Sequence, residues 1–127
     1  MLTKARYVLA VTNLLASIDF YESKLGFTVT AKFEGWAFLS RDSITLMLGE
    51  CKDEVPAASI GDHSYFAYID TSDVDGLFSE FSERGVQFIK PPTDEPWRMR
   101  EFGVLTPDGH RMMFGQELAR LSMTSKI

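Results

Sequence analysis

The hydrophobic positions near the start of the chain change from a strand-like run to a helix-like period. The segment Ala5 to Val11 is short and rich in valine, leucine and tyrosine, which predicts a strand buried on both faces. A single apolar stripe follows at spacings of four, three and four, which predicts a helix. Asn13 supplies an N-cap for this helix and Gly26 ends it. The stripe consists of Leu14, Ile18, Tyr21 and Leu25.

Three further strands are predicted before residue 50. Phe27 to Phe33 alternates aromatic and β-branched residues with others, and Gly35 to Leu39 and Ile44 to Leu48 follow it. The polar segment Ser40 to Ser43 joins the last two strands as a turn. The predicted order of elements is therefore βαβββ.

The same pattern begins again after a polar segment. His63 to Ile69 predicts an aromatic strand, and Ser72 or Asp73 caps a second helix that Gly85 ends. The second helix has one apolar face at i, i+3, i+4 and i+7. This face consists of Val74, Leu77, Phe78 and Phe81.

The rest of the second half predicts a strand, a loop and a hairpin. Val86 to Ile89 is the strand, and Lys90 to Pro96 is a proline-rich loop. Arg100 to Leu105 and Arg111 to Phe114 form the hairpin around the turn Thr106 to Gly109. Caps and helix-ending glycines recur at an offset of 59 to 60 residues, which indicates an internal repeat.

This repeat predicts one domain over residues 1–127 that contains two modules. Module one covers about 5–50, a linker about 49–62, module two about 63–117 and a C-terminal tail 118–127, where Leu118 and Leu121 permit one helical turn.

Composition and charge narrow the classes of partner. Thirteen Lys and Arg against eighteen Asp and Glu give a net charge of −5, which argues against a duplex nucleic-acid binder. Cys51 is the only cysteine, so an intrachain disulfide and a multi-cysteine metal site are excluded. Because no apolar run approaches about 18 residues and the first residues lack a leader pattern, we expect no membrane partner and a cytoplasmic location.

Several short motifs, taken in their order and spacing, resemble the vicinal oxygen chelate superfamily of glyoxalases, bleomycin-resistance proteins and ring-cleaving dioxygenases. The motifs are Ile18 to Phe27, Asp73 to Leu77, Glu83 to Val86, Pro96 to Phe102, Pro107 to His110 and Phe114 to Gln116. The stretch Trp97 to Phe102 and the Phe-Gly-Gln ending look most like the bleomycin-resistance branch. The resemblance implies an α+β fold in which two βαβββ modules form curled mixed sheets with an open concave face.

Enzymes of this superfamily hold a divalent metal through His and Glu at four positions. Counting from the helices places these positions at Arg6, at Thr45 or Met47, at Phe66 and at Met113. A guanidinium repels a cation, phenylalanine has no donor atom, and a thioether is a soft ligand. We therefore expect no metal, no cofactor and no catalytic residue.

Strand parity predicts a concave face lined by aromatic and methionine side chains. The predicted ligand-binding residues are Arg6, Trp36, Phe38, Thr45, Met47, Phe66, Tyr68, Trp97, Arg98 and Met113. For Met47 and Phe66 an alternative interpretation is ordinary core packing. His63 and His110 are interpreted as surface residues and Cys51 as an unreactive linker thiol, because none of them has a partner at catalytic spacing.

The resemblance and the residues together favour a protein that sequesters a planar or cationic antibiotic, or a related compound, without chemistry. Five acidic residues are predicted in loops beside the groove, namely Glu50, Asp53, Glu54, Asp94 and Glu95. The alternatives are a glyoxalase-like lyase, isomerase or dioxygenase with an atypical or absent metal site, and a protein–protein module with a vestigial pocket. The resemblance also implies a homodimer with its pockets at the interface.

Overall fold

A computed structural model describes residues 1–118, except for the side chain of residue 62. It contains eight strands and two α-helices within that range, in the order βαβββ repeated twice. The first repeat consists of β1 (Tyr7–Val11), α1 (Leu14–Asp19), β2 (Thr28–Phe33), β3 (Trp36–Arg41) and β4 (Ile44–Glu50). The second repeat consists of β5 (Tyr65–Asp70), α2 (Val74–Glu83), β6 (Phe88–Asp94), β7 (Met99–Leu105) and β8 (Arg111–Glu117). The helical turn predicted in the C-terminal tail lies outside the described residues.

Each repeat forms a four-stranded mixed sheet. The strand orders are β1-β4-β3-β2 and β5-β8-β7-β6, so that the first and last strands of each repeat pair in parallel. The other neighbours pair antiparallel. The predicted α+β fold of two curled sheets is confirmed.

The cap and end residues predicted for both helices are confirmed. Asn13 Oδ1 accepts the backbone N–H of residue 16, and Asp73 Oδ1 accepts that of residue 76, each at 3.0 Å. Asp73 rather than Ser72 is therefore the N-cap of α2. Gly26 and Gly85 have φ angles of +74° and +75°, a conformation that residues with a side chain rarely adopt. The α1 segment continues through a π-helical turn, Phe20–Lys24, before Gly26.

The helices and one side of each sheet share a single hydrophobic core. All four residues of the first helical stripe are buried, and in α2 Val74 and Phe81 are buried while Leu77 and Phe78 pack against the same cluster. The predicted helical faces are thus the core-facing ones. A charged contact also joins the modules, because Arg41 in β3 binds both carboxylate oxygens of Glu80 in α2, at 2.8 and 2.9 Å.

Two details of the predicted strands are wrong. Strand β1 is buried on one side only, since Leu9 and Val11 face the core while Val8 and Ala10 are exposed. The segment Lys90 to Asp94, predicted as part of a loop, continues strand β6. Because β6 is an edge strand, its prolines do not remove hydrogen bonds from the interior of the sheet.

Equivalent residues of the two modules also occupy equivalent positions in the strand pairing. The number of residues that separates them is not constant along the module. Asn13 and Asp73 lie 60 residues apart, whereas Trp36 and Glu101, which face Gly49 and Gly115 across equivalent strand pairs, lie 65 apart. The five additional residues of module two fall between Thr93 and Glu101, at the tip of the β6–β7 hairpin that contains Trp97.

Candidate functional site

The side of each sheet that faces away from the helices carries most of the predicted binding residues. On sheet one we call this surface face one, and it is formed by Val8, Phe33, Trp36, Phe38, Thr45 and Met47. On sheet two we call it face two, and it is formed by Tyr68, Lys90, Trp97, Glu101 and Met113. The predicted residues are thus brought together as two groups, one on each sheet.

Face one is apolar and open. Met47 lies between Val8 of β1 and Phe38 of β3 in the strand register. The rings of Phe33 and Phe38 meet edge to face, with centroids 5.8 Å apart. The side chain of Val8 is 60% exposed. Face one therefore offers hydrophobic and aromatic contact area.

Trp36 lies flat against the sheet because a glycine stands opposite it. Trp36 pairs with Gly49, and a Cβ atom built on Gly49 would fall 2.8 Å from the indole ring. Any side chain at residue 49 would lift the ring. Trp36 nevertheless remains 42% exposed, so that its outer face is available for stacking.

Face two is organised around the carboxylate of Glu101. Its Oε1 atom accepts hydrogen bonds from the Tyr68 hydroxyl and from Trp97 Nε1, both at 2.9 Å. Its Oε2 atom accepts a hydrogen bond from Lys90 Nζ at 3.1 Å, and Lys90 also pairs with Glu95. Glu101 is only 5% exposed, whereas Trp97 is 60% exposed. A buried acidic group thus holds an exposed indole.

The electrostatics of face two follow from this network. Burial raises the pKa of Glu101, but hydrogen bonds from Trp97, Tyr68 and Lys90 outweigh burial and hold that pKa below its usual range. Burial also raises the pKa of the Tyr68 hydroxyl, and the adjacent Glu101 raises it further. Burial lowers the pKa of Lys90, yet its bonds to Glu95 and Glu101 leave that pKa raised. Glu101 is therefore ionised and Lys90 protonated at neutral pH.

A glycine also supports face two. A Cβ atom built on Gly115 would fall 2.0 Å from the Tyr68 hydroxyl oxygen. The Tyr68 ring therefore crosses the sheet over Gly115 to reach Glu101, just as Trp36 crosses sheet one over Gly49.

Three predicted binding residues have surroundings that differ from the rest. Arg6 is exposed and precedes β1. Phe66 packs partly into the core, with its ring centroid 6.2 Å from that of Tyr7. Arg98 is half-buried at a left-handed φ of +67° directly after Trp97.

The histidines and the cysteine do not form a reactive group. His63 is exposed, as predicted. His110, also predicted at the surface, is only partly exposed, because its ring centroid lies 5.6 Å from that of Phe66, and burial lowers the pKa of its imidazole. Cys51 is half-buried just after β4.

The side chains at the positions that correspond to metal ligands do not fit a divalent metal. Arg6, Phe66 and Met113 supply no hard donor, and the remaining position holds either the thioether of Met47 or the neutral hydroxyl of Thr45. The buried carboxylate of face two, Glu101, already accepts three hydrogen bonds. Within residues 1–118 no cluster of three or more His, Cys, Asp or Glu side chains has a geometry suitable for a metal ion.

The acidic residues predicted beside the groove are largely engaged. Glu50 belongs to β4 and its Oε2 accepts the backbone N–H of Leu14 at 2.9 Å, so that it helps to cap α1. Asp94 belongs to β6 and pairs with Arg100 at 3.0 Å. Loop positions for these two residues were therefore wrong, and neither presents an unpaired charge.

A cavity of about 150 Å³ lies between the modules on the helical side. Its lining includes the apolar side chains of Phe27, Ile69 and Phe81 and also Arg41, which Glu80 already binds. None of the predicted binding residues lines this cavity. The open faces, rather than this cavity, are the candidate site.

Sequence reasoning missed Glu101 and Lys90 as members of the site. Glu101 lies within the motif Pro96 to Phe102, on the same side of its strand as Met99 and Gly103, and Lys90 lies at the start of the segment predicted as a loop. A charged residue in a central strand whose neighbours on the same side of the sheet are apolar, as Met99 and Gly103 are for Glu101, is a signal that the side chain has buried partners.

In the part of the chain that the structure describes, no helix has the length and apolar character needed to cross a membrane.

Comparison with known proteins gives a consistent result. The sequence model of the Glyoxalase/Bleomycin resistance protein/Dioxygenase superfamily matches residues 4–114. A bleomycin resistance protein of Geobacillus stearothermophilus is 29% identical over 126 residues, which cover 87% of this chain and 93% of that protein.

Solved structures share the fold. The bleomycin-binding protein of Streptomyces verticillus, solved with copper(II)-bleomycin, has a TM-score of 0.72 at 24% identity and covers 90% of this chain and 95% of its own. A bleomycin resistance determinant encoded on the transposon Tn5 has a TM-score of 0.78 at 19% identity, with coverages of 91% and 98%.

Proposed function

Since the chain belongs to the Glyoxalase/Bleomycin resistance protein/Dioxygenase superfamily, we propose that it binds a planar or cationic antibiotic of the bleomycin type, or a related compound, and sequesters it without chemistry. The similarity to a bleomycin resistance protein over most of both chains supports an antibiotic as the ligand.

The observation that carries this proposal is the exposure of two indole rings on open sheet faces. Trp36 and Trp97 are 42% and 60% exposed, yet each ring is fixed, the first over Gly49 and the second by Glu101. Fixed, exposed aromatic rings stack well on flat molecules because little side-chain freedom is lost on binding. Large apolar groups of this kind mark interaction sites on protein surfaces.

The charge of the protein agrees with a ligand that combines a planar part with a cation. A net charge of −5 favours the approach of cations over long distances. The local acids Asp94 and Glu95 are paired with Arg100 and Lys90, so that stacking rather than a free carboxylate provides the contact surface.

The alternative of a lyase, isomerase or dioxygenase needs chemical groups that the two faces do not supply. The donor set at the family positions does not suit a divalent metal, and the carboxylate of Glu101 is already engaged by Lys90, Tyr68 and Trp97. Elemental analysis of the purified protein separates the two functions. About one Zn, Ni, Mn or Fe per chain, lost when face residues are replaced, would favour the enzyme.

Titration with bleomycin tests the proposed binding. We expect saturable heat release in calorimetry and a rise in the unfolding temperature, since a ligand at 100 times its Kd stabilises the native state by about 2.7 kcal/mol. The bleomycin should be recovered unchanged by mass spectrometry. Absence of binding to bleomycin and to a panel of planar antibiotics would contradict the proposal.

We further propose that the protein is a homodimer in which face one of each copy closes against face two of its partner. The exposure of face one and the symmetry of a two-fold pair support this arrangement. Face one exposes Val8, Phe33 and Trp36 to solvent, which is unusual for a monomer. A two-fold pair would cover both copies of each face and create two identical grooves.

Light scattering at micromolar concentration is expected to give twice the chain mass of 14.3 kDa. The variant Val8→Asp should dissociate the dimer and weaken bleomycin binding, because it places a charge in the interface. Leu15→Asp is a matched control, since Leu15 is 67% exposed on α1, on the helical side of the sheet. A wild-type monomer that binds with full affinity would show that one chain forms the groove alone.

A further inference from the structure

Glu101 is a buried carboxylate whose partners come from three separate parts of module two. Trp97 lies in the β6–β7 connection, Lys90 in the edge strand β6 and Tyr68 in strand β5. The three donors use both carboxylate oxygens. Glu101, in the inner strand β7, is therefore the point at which a loop and the two edge strands of sheet two are joined on face two.

Fold stability alone is a weak reason for such a group. Removing a carboxylate from water has a large unfavourable free energy, and buried ion pairs are often no more stabilising than apolar residues of similar size. In module one the equivalent position is occupied by an apolar residue, Trp36. It pairs with Gly49, just as Glu101 pairs with Gly115. The repeat thus builds the same sheet without a carboxylate.

The two modules still present one indole each on their open faces. In module one the indole comes from the strand position itself, Trp36. In module two the strand position is Glu101, and the indole comes from Trp97 in the lengthened connection, bound through its Nε1. Trp36 itself lies over Gly49 in module one, whereas in module two the Tyr68 ring lies over Gly115 and Glu101 binds both Tyr68 and the loop indole.

From this geometry we propose that Glu101 is a positioning residue that fixes the Trp97 ring for stacking on a planar ligand. Lys90 Nζ stands over the Trp97 ring at 6.0 Å from its centroid, so that one ring face is covered by the cation. The other face remains for the planar part of the ligand. This inference rests on the proposed binding function, in which Trp97 anchors the ligand and Glu101 holds Trp97 in place.

The test follows the motion of Trp97 in the ligand-free protein. The chain has two tryptophans, so that Trp36→Phe leaves Trp97 as the only indole. In this background we expect Glu101→Ala to give a rapid nanosecond loss of fluorescence anisotropy and more quenching by iodide. Glu101→Gln keeps a carbonyl acceptor for the indole and should lie between the parent and the alanine variant. Glu83→Ala, an exposed position on α2, is the control and should change neither signal.

Affinity for bleomycin is measured with Trp36 present. We expect Glu101→Ala to weaken binding more than about tenfold, Glu101→Gln to weaken it less, and Glu83→Ala to leave it unchanged. Urea unfolding of each variant identifies a loss of fold, and if Glu101→Ala does not fold, the comparison of Glu101→Gln with the parent decides the matter.

The outcomes separate this inference from the proposed function. A Trp97 ring as rigid in the Glu101 variants as in the parent would overturn the positioning role, whatever the ligand does. Equal bleomycin affinity in parent and variants would overturn it as well. A wild-type protein that binds neither bleomycin nor any planar antibiotic, with Trp97 loosened in the variants, would instead overturn the proposed function.

Discussion

Replacing Trp97 with alanine is expected to weaken bleomycin binding by at least about 2 kcal/mol, or roughly 30-fold, while the free energy of unfolding falls by less than about 1 kcal/mol. The reason is that Trp97 makes few buried contacts within the protein, whereas much of its ring is accessible to a ligand. Trp97 is 60% exposed and adds little to the core, but its ring offers a large, fixed surface to a planar ligand. Calorimetric titration and urea unfolding of the same preparation measure the two quantities.

Trp97→Phe provides the matched control for this prediction. It retains a ring but lacks the N–H group that binds Glu101, so its affinity should lie between those of the wild type and Trp97→Ala. If Trp97→Ala unfolds the protein instead, the indole belongs to the folded core and the binding surface is misplaced. If Trp97→Phe binds as weakly as Trp97→Ala, the indole itself rather than any aromatic ring is required.

Local signals made the helices and the repeat predictable from sequence. Asn13 and Asp73 act through hydrogen bonds to residues three positions later, and Gly26 and Gly85 act through their own backbone conformation. Such interactions are encoded within a few residues. They can therefore be predicted without knowledge of the tertiary structure.

Burial and network formation depended on contacts between distant residues and were less predictable. The apolar run of β1 has an exposed side at Val8, because the helices cover only one side of the sheet. The prolines of β6 are compatible with a strand only because β6 lies at the sheet edge. Glu101 receives a hydrogen bond from Tyr68, 33 residues away, and no local pattern specifies that pairing.

One part of the site is specified by local strand alternation, and the other part by contacts between residues that are distant in sequence. Strand parity predicted which side of each sheet Met47 and Tyr68 occupy, since alternation is a property of the strand alone. The fixed orientation of Trp97 depends on a carboxylate and an ammonium group from other elements, which only the folded chain brings together.

The second large effect is expected in the core beneath face two. Phe102 follows Glu101 in β7 and points to the opposite side of the sheet, where it is fully buried. Its ring stacks on Phe114 with centroids 5.3 Å apart and an interplanar angle of 19°. The rings of Phe78, Phe81 and Phe88 meet it at larger angles.

Phe102→Ala is expected to lower the free energy of unfolding by about 3–5 kcal/mol, because it removes these contacts and leaves a cavity that the neighbouring rings fill only in part. Phe102→Leu, which retains most of the volume, should lower it by less than about 2 kcal/mol. Urea unfolding followed by circular dichroism measures both values. Phe102 and Trp97 lie on opposite sides of the sheet, so the folded fraction of Phe102→Leu should bind bleomycin within about threefold of the wild type. Trp97→Ala should instead lose affinity while it keeps most of its stability. A loss below about 1 kcal/mol for Phe102→Ala would show that the aromatic cluster does not form the core of module two.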